Sequence, residues 1–225
     1  MPDPFSYIAF FDLDLTLTSR TSGRLLARRA RKKGLMSGSD LANALWLSFA
    51  YRFSLRDPVK IVNEMAAWVK GIRVSEFNAL ADEIIDELLL PSVYQKARKE
   101  ITYHKMKRAR TVILSSAPEY VCRRMAAETG IDDIICSVLE EENGILTGLS
   151  VRPLCYGREK AVRLKEYCEK FNIAPSDCWY YGDSGTDIYA LSAAGHQVCV
   201  NPERELLRKA REKSWKVVRW ENCYS

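Results

Sequence analysis

Apolar residues in this chain follow two rhythms. The first is a short continuous run bounded by polar residues: Ile8-Ala9-Phe10-Phe11, Thr111-Val112-Ile113-Leu114, Trp179-Tyr180-Tyr181, residues 197–200 and residues 215–220. Runs of that length predict strands buried on both faces of a parallel sheet. The second is the three-to-four-residue spacing of amphipathic helices. From Gly23 to about Leu90 only this rhythm is present. It predicts one helix over 24–33, stopped by Gly34, and a second opened by Ser39-Asp40 with Leu41, Leu45, Trp46, Phe49 and Phe53 on one face. Asp57-Pro58 caps a third, carrying Ile61, Met65, Trp68 and Val69 up to Gly71, and Ser75-Glu76 starts a fourth that ends at Pro91.

From Ser92 onward helix and strand alternate. Helices are expected up to Arg108, through Val121, Met125 and Ala126 to Gly130, over 158–171, after Asp187 and over 203–213. The runs 134–139 and 145–147 flank Glu142-Asn143-Gly144 and predict a hairpin around an Asn-Gly turn. The whole pattern predicts an α/β fold with a doubly wound, mainly parallel sheet. An all-helical domain, residues 18–91, interrupts it after the first strand, leaving 1–17 and 92–225 as the core.

The polar residues that follow the strands carry the chemistry. Asp12 and Asp14 come directly after the first run, at a spacing that puts both on one side while the chain is extended. Taken alone, the pair fits a strand-end turn in which the carboxylates bind nearby backbone amides. Two other strands, however, end in Ser115-Ser116 and in Gly182-Asp183-Ser184-Gly185-Thr186-Asp187, and Lys160 opens a helix. In an open parallel sheet the carboxyl ends of the strands border one crevice. Three carboxylates, a hydroxyl and a lysine around it suit Mg²⁺ and a phosphoryl group.

Charge and composition narrow the partners. Lysine and arginine exceed aspartate and glutamate by 34 to 29, which suits an anionic substrate and gives no case for nucleic acid. No apolar run is long enough to span a membrane, and the start Met1-Pro2-Asp3-Pro4 does not read as a signal peptide. Seven scattered cysteines without a CxxC pair read as small buried hydrophobes of a cytoplasmic protein, and two histidines offer no zinc centre. Oligomeric state is not legible. The basic helix 24–33 is expected to be a solvated face, with peripheral membrane contact as its alternative.

Asp12-Leu13-Asp14-Leu15-Thr16, Ser115, Lys160 and Asp183 to Asp187 resemble the four ordered motifs of the haloacid dehalogenase (HAD) superfamily, whose core is Rossmann-like. The helical insertion resembles the cap of its phosphoserine phosphatase-like branch, subfamily IB. Ser115-Ser116-Ala117-Pro118-Glu119 and the tail Val200-Asn201-Pro202 with Leu206, Ala210 and Trp215 resemble a bacterial group that includes phosphatidylglycerophosphatase C-like enzymes. The resemblance implies a Mg²⁺-dependent phosphatase working through an aspartyl phosphate. Asp12 would be the nucleophile and Asp14 the general acid and base. Asp12, Asp14 (through its backbone carbonyl), Asp183 and Asp187 would serve the metal; Ser115, Ser116, Thr16 and Lys160 would serve the phosphate. Dehalogenases proper lack the second aspartate, so Asp14 points to phosphate chemistry. Arg20 and Arg24 are candidates for contact with a small-molecule or lipid phosphate. Phosphoserine phosphatases carry an acidic residue where this chain has Arg20-Thr21-Ser22. A phosphoserine phosphatase-like enzyme and a phosphotransferase or mutase sharing the intermediate are the alternatives.

Overall fold

Within Tyr7–Phe11 (β1), Ile8 and Phe10 pack to one side while Ala9 and Phe11 pack to the other, and all four are fully buried. Such a strand belongs in the interior of a sheet. The computed structural model describes residues 5–40 and 66–221, with Ala42, Asn43 and Trp46 between them. In it β1 lies between β2 (Ala109–Pro118) and β6 (Trp179–Gly182), parallel to both. The complete order is β3 (Asp133–Ser137), β2, β1, β6, β7 (His196–Val200) and β8 (Lys216–Val218), parallel throughout. On one face, α3 (Gln95–Met106) and α4 (Glu119–Thr129) join Phe11, Ile113 and Tyr181 in a core. On the other, α5 (Arg158–Lys170), α6 (Ile188–Ala193) and α7 (Arg204–Glu212) pack on Phe10, Val112 and Tyr180. This is the doubly wound sheet expected from the sequence.

The chain leaves the sheet at Thr18 and returns beside it at Val93. The two residues form an antiparallel bridge, flanked by Ser19 N–H donating to the Ser92 carbonyl at 2.9 Å and Tyr94 N–H donating to that of Leu17 at 3.0 Å. Between these points lie α1 (Ser22–Lys32) and α2 (Val74–Ile84), the latter continued by a wider π turn over Ile85–Leu89 and a tighter 3₁₀ turn over Leu90–Ser92. The helix α1 buries Leu26, Ala27 and Ala30. Arg29 and Lys33 pair with Glu83, and Arg29 also with Glu87, while Arg24, Arg28, Arg31 and Lys32 stay exposed. Residues 38–40, Ala42, Asn43 and Trp46 are helical. The rest of the second expected helix, and the third as far as Met65, lie outside the described residues. Ala67–Val69 is a single 3₁₀ turn before Gly71.

Two local expectations change. The strand β2 runs on through Ser115 and Ser116 to Pro118 in place of turning at Ser115, because Pro118 still pairs with Ser137 after a register shift. A proline is tolerated there, at a strand end where no further donor is required. The run 134–139 is also two strands. Asp133–Ser137 joins β2, and only Leu139–Glu142 (β4) pairs with Ile145–Ser150 (β5) as the hairpin. Its turn has φ of 52° at Asn143 and 78° at Gly144, as a two-residue turn with both central residues left-handed requires. The β5 strand touches the inserted stretch: Gly71 N–H donates to the Leu146 carbonyl and Leu146 N–H to that of Ile72, both at 2.9 Å.

Candidate active site

Register places the polar groups. Phe11 lies abreast of Ile113 on β2 and of Tyr181 on β6. Asp12 therefore follows one residue later, and Ser115 and Asp183 two residues later, at the same edge. Beyond Asp12 the chain tightens: Leu15 adopts φ of 60°, and Thr18 N–H closes on the Leu13 carbonyl at 3.1 Å. A left-handed leucine is strained, and such strain collects at functional turns. It tucks Thr16 inward, where the hydroxyl donates to Asp183 Oδ1 at 3.4 Å. Gly182 is needed for close approach, since a Cβ there would lie 2.7 Å from that of Asp187.

Lys160, at the start of α5, is 2 % exposed and reaches across the crevice. Its ammonium donates to Asp12 Oδ1 at 2.7 Å and to Asp187 Oδ1 at 2.6 Å. The register of α5 is held by buried Arg163, which donates to the Cys136 carbonyl at 2.5 Å and to the Pro153 carbonyl and pairs with Glu159. The acidic groups differ in how fully they are satisfied. Asp187 accepts from five donors: Lys160 and the Tyr180 hydroxyl on Oδ1, and the N–H of Asp183, the N–H of Ser184 and the Ser184 hydroxyl on Oδ2. Among the described residues Asp183 has only the Thr16 hydroxyl, and Asp12 Oδ2 has no protein donor.

The protonation balance follows from this. Burial opposes the charge of Asp187, but Lys160 and Tyr180 more than offset it and hold the carboxyl below the usual carboxylate range. Burial pushes Asp12 up to about 7, against the pull of Lys160 and with added repulsion from Asp187. Asp183 is raised well above its ordinary value by burial and by the neighbouring Asp187 and Asp12. Lys160 resists burial because those two carboxylates hold its proton. Oxygens of Asp12, Asp183 and Asp187 lie within 4.8 Å of one another. Crowded, under-bonded carboxylates with no nitrogen or sulfur ligand fit a hard divalent cation. Mg²⁺ suits this donor set, with Asp12 and Asp183 the freer ligands and Asp187 already saturated.

The remaining expected residues are distributed as follows. Asp14 is half-buried and turned away from the trio: Oδ1 accepts from Ser22 N–H and Oδ2 from the Ser22 hydroxyl, both at 2.9 Å. Burial raises its carboxyl above the usual range although the Ser22 bonds oppose this. Ser115 is fully buried, its Oγ accepting from Ala117 N–H at 3.4 Å, and Ser116 is half-buried beside it. Arg20 and Arg24 are exposed, and among the described residues neither guanidinium forms an ion pair. Tyr180 and Ser22 were not legible as site residues. Tyr180 reads as one more apolar strand residue and Ser22 as part of a polar break.

The family model for haloacid dehalogenase-like hydrolases matches residues 9–192. The chain belongs to this family. Among curated relatives of this hydrolase, a phosphoserine phosphatase of Mycobacterium tuberculosis is 24% identical over 220 residues, covering 96% of the chain and 71% of the relative. A histidinol-phosphatase of Neisseria meningitidis is 26% identical over 216 residues, covering 94% and 97%. A solved phosphoserine phosphatase, captured as an analogue of its phospho-aspartyl intermediate, superimposes with a TM-score of 0.72 at 14% identity, covering 95% of this chain and 92% of that one. The HAD hydrolase described here is a phosphatase with phosphoserine phosphatase-like homologues. Among the described residues no helix is long and apolar enough to cross a membrane.

Proposed function

We propose that this phosphatase hydrolyses phosphomonoesters through an aspartyl phosphate on Asp12. The observation that carries the reading is the state of that side chain: buried, one oxygen fixed by Lys160 and the other without a donor among the described residues. A nucleophile needs one lone pair unengaged and its carboxylate oriented. Mg²⁺, when bound by Asp12, Asp183 and the Asp14 backbone carbonyl, supplies charge neutralisation to the phosphoryl oxygens. Asp187 orders the Asp183 loop and holds Lys160. Ser115, Ser116, Thr16 and Lys160 grip the phosphoryl oxygens. Asp14 gives its proton to the leaving oxygen and later takes one from the attacking water. The phospho-aspartyl analogue of the structurally similar phosphatase supports the same intermediate for this chain.

Residues 18–91 would close over the leaving group, with 1–17 and 92–225 as the catalytic core. The leaving group is inferred to carry a second anionic or apolar part, as in a lipid phosphate, because Arg20 and Arg24 are exposed without carboxylate partners among the described residues. This matches the phosphatidylglycerophosphatase C-like resemblance and a cytoplasmic enzyme that meets the membrane peripherally. A phosphoserine substrate is the second reading, favoured by the mycobacterial relative. Phosphate release from a panel with Mg²⁺, comprising phosphoserine, histidinol phosphate, lysophosphatidate and phosphatidylglycerophosphate, separates the two. With Arg20→Ala, KM for the preferred substrate should rise about tenfold while that for p-nitrophenyl phosphate barely changes. Preference for phosphoserine over every lipid phosphate would overturn the substrate assignment and leave the catalytic one standing.

A further inference from the structure

Asp14 is anchored to the inserted stretch, not to the sheet it follows. Ser22 is the first residue of α1 and is 1 % exposed. Thr21, the residue before it, makes no side-chain bond to the helix end, so the cap is supplied by Asp14 from eight residues upstream. A carboxylate on the free amides of a helix start is electrostatically favourable. The two contacts have different origins. Any residue but proline at position 22 would offer the N–H, but only serine or threonine adds a hydroxyl to the second oxygen. That second contact matters because the terminal torsion of aspartate is broad. The backbone N–H groups of Ser22 and Gly23 leave that torsion partly free, and the hydroxyl on Oδ2 restrains it further. The anchor is itself fixed, by the buried Leu26, Ala27 and Ala30 and by Arg29 on Glu83 and Glu87.

We propose that Ser22 is a positioning residue for Asp14, its hydroxyl setting the plane in which the carboxyl group meets the leaving oxygen. The proposal rests on the reading of Asp14 as acid and base. In the first step the Asp14 O–H proton passes to the ester oxygen as the phosphorus–oxygen bond breaks and the Asp12–phosphorus bond forms. During this transfer Oδ1 keeps the Ser22 N–H, and Oδ2 directs its own O–H at the ester oxygen while its remaining lone pair still accepts from the Ser22 hydroxyl. In the second step the Asp14 carboxylate takes a proton from water, whose oxygen attacks phosphorus. The bond to Asp12 breaks and phosphate leaves.

The test compares kcat/KM on p-nitrophenyl phosphate, whose leaving oxygen needs little protonation, with that on β-glycerophosphate, whose leaving oxygen needs it fully. Ser22→Ala should lose about tenfold on β-glycerophosphate and under about threefold on p-nitrophenyl phosphate, the scale of one lost hydrogen bond to a charged group. Ser22→Thr, which keeps the hydroxyl, should restore the wild-type ratio between the two substrates. An unchanged ratio in Ser22→Ala, or an equal fall on both substrates with a lower melting temperature, would mean that Ser22 serves only the fold. Failure of Ser22→Thr to restore the ratio would also overturn the proposal. Asp14→Asn is run beside them: full activity of that variant on β-glycerophosphate would remove Asp14 from its role, whatever Ser22 does.

Discussion

Asp12 and Asp187 share the ammonium of Lys160, yet they differ in how fully they are bonded. Five donors saturate Asp187, whereas among the described residues Asp12 Oδ2 has none. Asp12→Asn should therefore fold normally and lose at least about a thousandfold in kcat, since an amide keeps the shape without the nucleophile. Circular dichroism with phosphate-release assays checks this; activity within about tenfold of wild type would take Asp12 out of the nucleophile role. Tyr180 makes a different prediction. Its hydroxyl donates to Asp187 at 2.7 Å and lies 3.3 Å from Lys160. Tyr180→Phe leaves those buried groups short of a partner, so stability should fall by about 1–2 kcal/mol in urea titration, with a several-fold loss of kcat. An unchanged midpoint would show the hydroxyl to be dispensable.

Three elements are joined by one polar chain inside the first core. His104 of α3 lies between Tyr7 of β1, at 2.9 Å from Nδ1, and Tyr181 of β6, at 2.8 Å from Nε2. The Tyr181 hydroxyl donates onward to Glu100 at 3.1 Å, so it must accept from His104. Nε2 therefore carries the proton and Nδ1 accepts from Tyr7. A second proton, on Nδ1, would displace the hydrogen that Tyr7 donates there. Burial, with some help from His196, lowers His104 to about 4. The unfolded chain takes up that proton near pH 6.5, so this contribution to stability is complete above pH 6.5 and is lost as pH falls towards 4. It amounts to about 3 kcal/mol. Denaturation midpoints at pH 7 and pH 4.5 should converge in His104→Phe, which is less stable than wild type at pH 7; an equal acid shift in both proteins would assign the effect elsewhere. None of this was legible in advance, because His104 sits in a helix whose neighbours are set by the sheet order. Asp12, Asp183 and Lys160 were legible, since each directly follows an apolar strand or opens a helix. The split of 134–139 was not, because periodicity cannot tell one run from two short strands that meet different partners.

Across the whole molecule the acidic trio works against folding. Carboxylates of Asp12, Asp183 and Asp187 are buried together with one lysine, and two of them are raised in pKa. A cation that binds only the folded state relieves that repulsion and shifts the unfolding equilibrium. Mg²⁺ at about a hundredfold above its Kd should add about 2.7 kcal/mol and raise the melting temperature by several degrees. Asp183→Asn should melt higher than wild type without metal and gain less from Mg²⁺. Equal gains in both proteins would place the ion elsewhere, and full turnover in excess EDTA would remove the metal from the reaction.

The bridge between Thr18 and Val93 has a consequence for descent. Because the outgoing and returning strands of the insertion lie side by side, recombination at two adjacent backbone positions can exchange everything between them without altering the spacing of the sheet. If the insertion sets what the enzyme recognises, as proposed above, selection can then rewrite it while the reaction stays constant. A lineage built this way is expected to diverge in substrate faster than in chemistry.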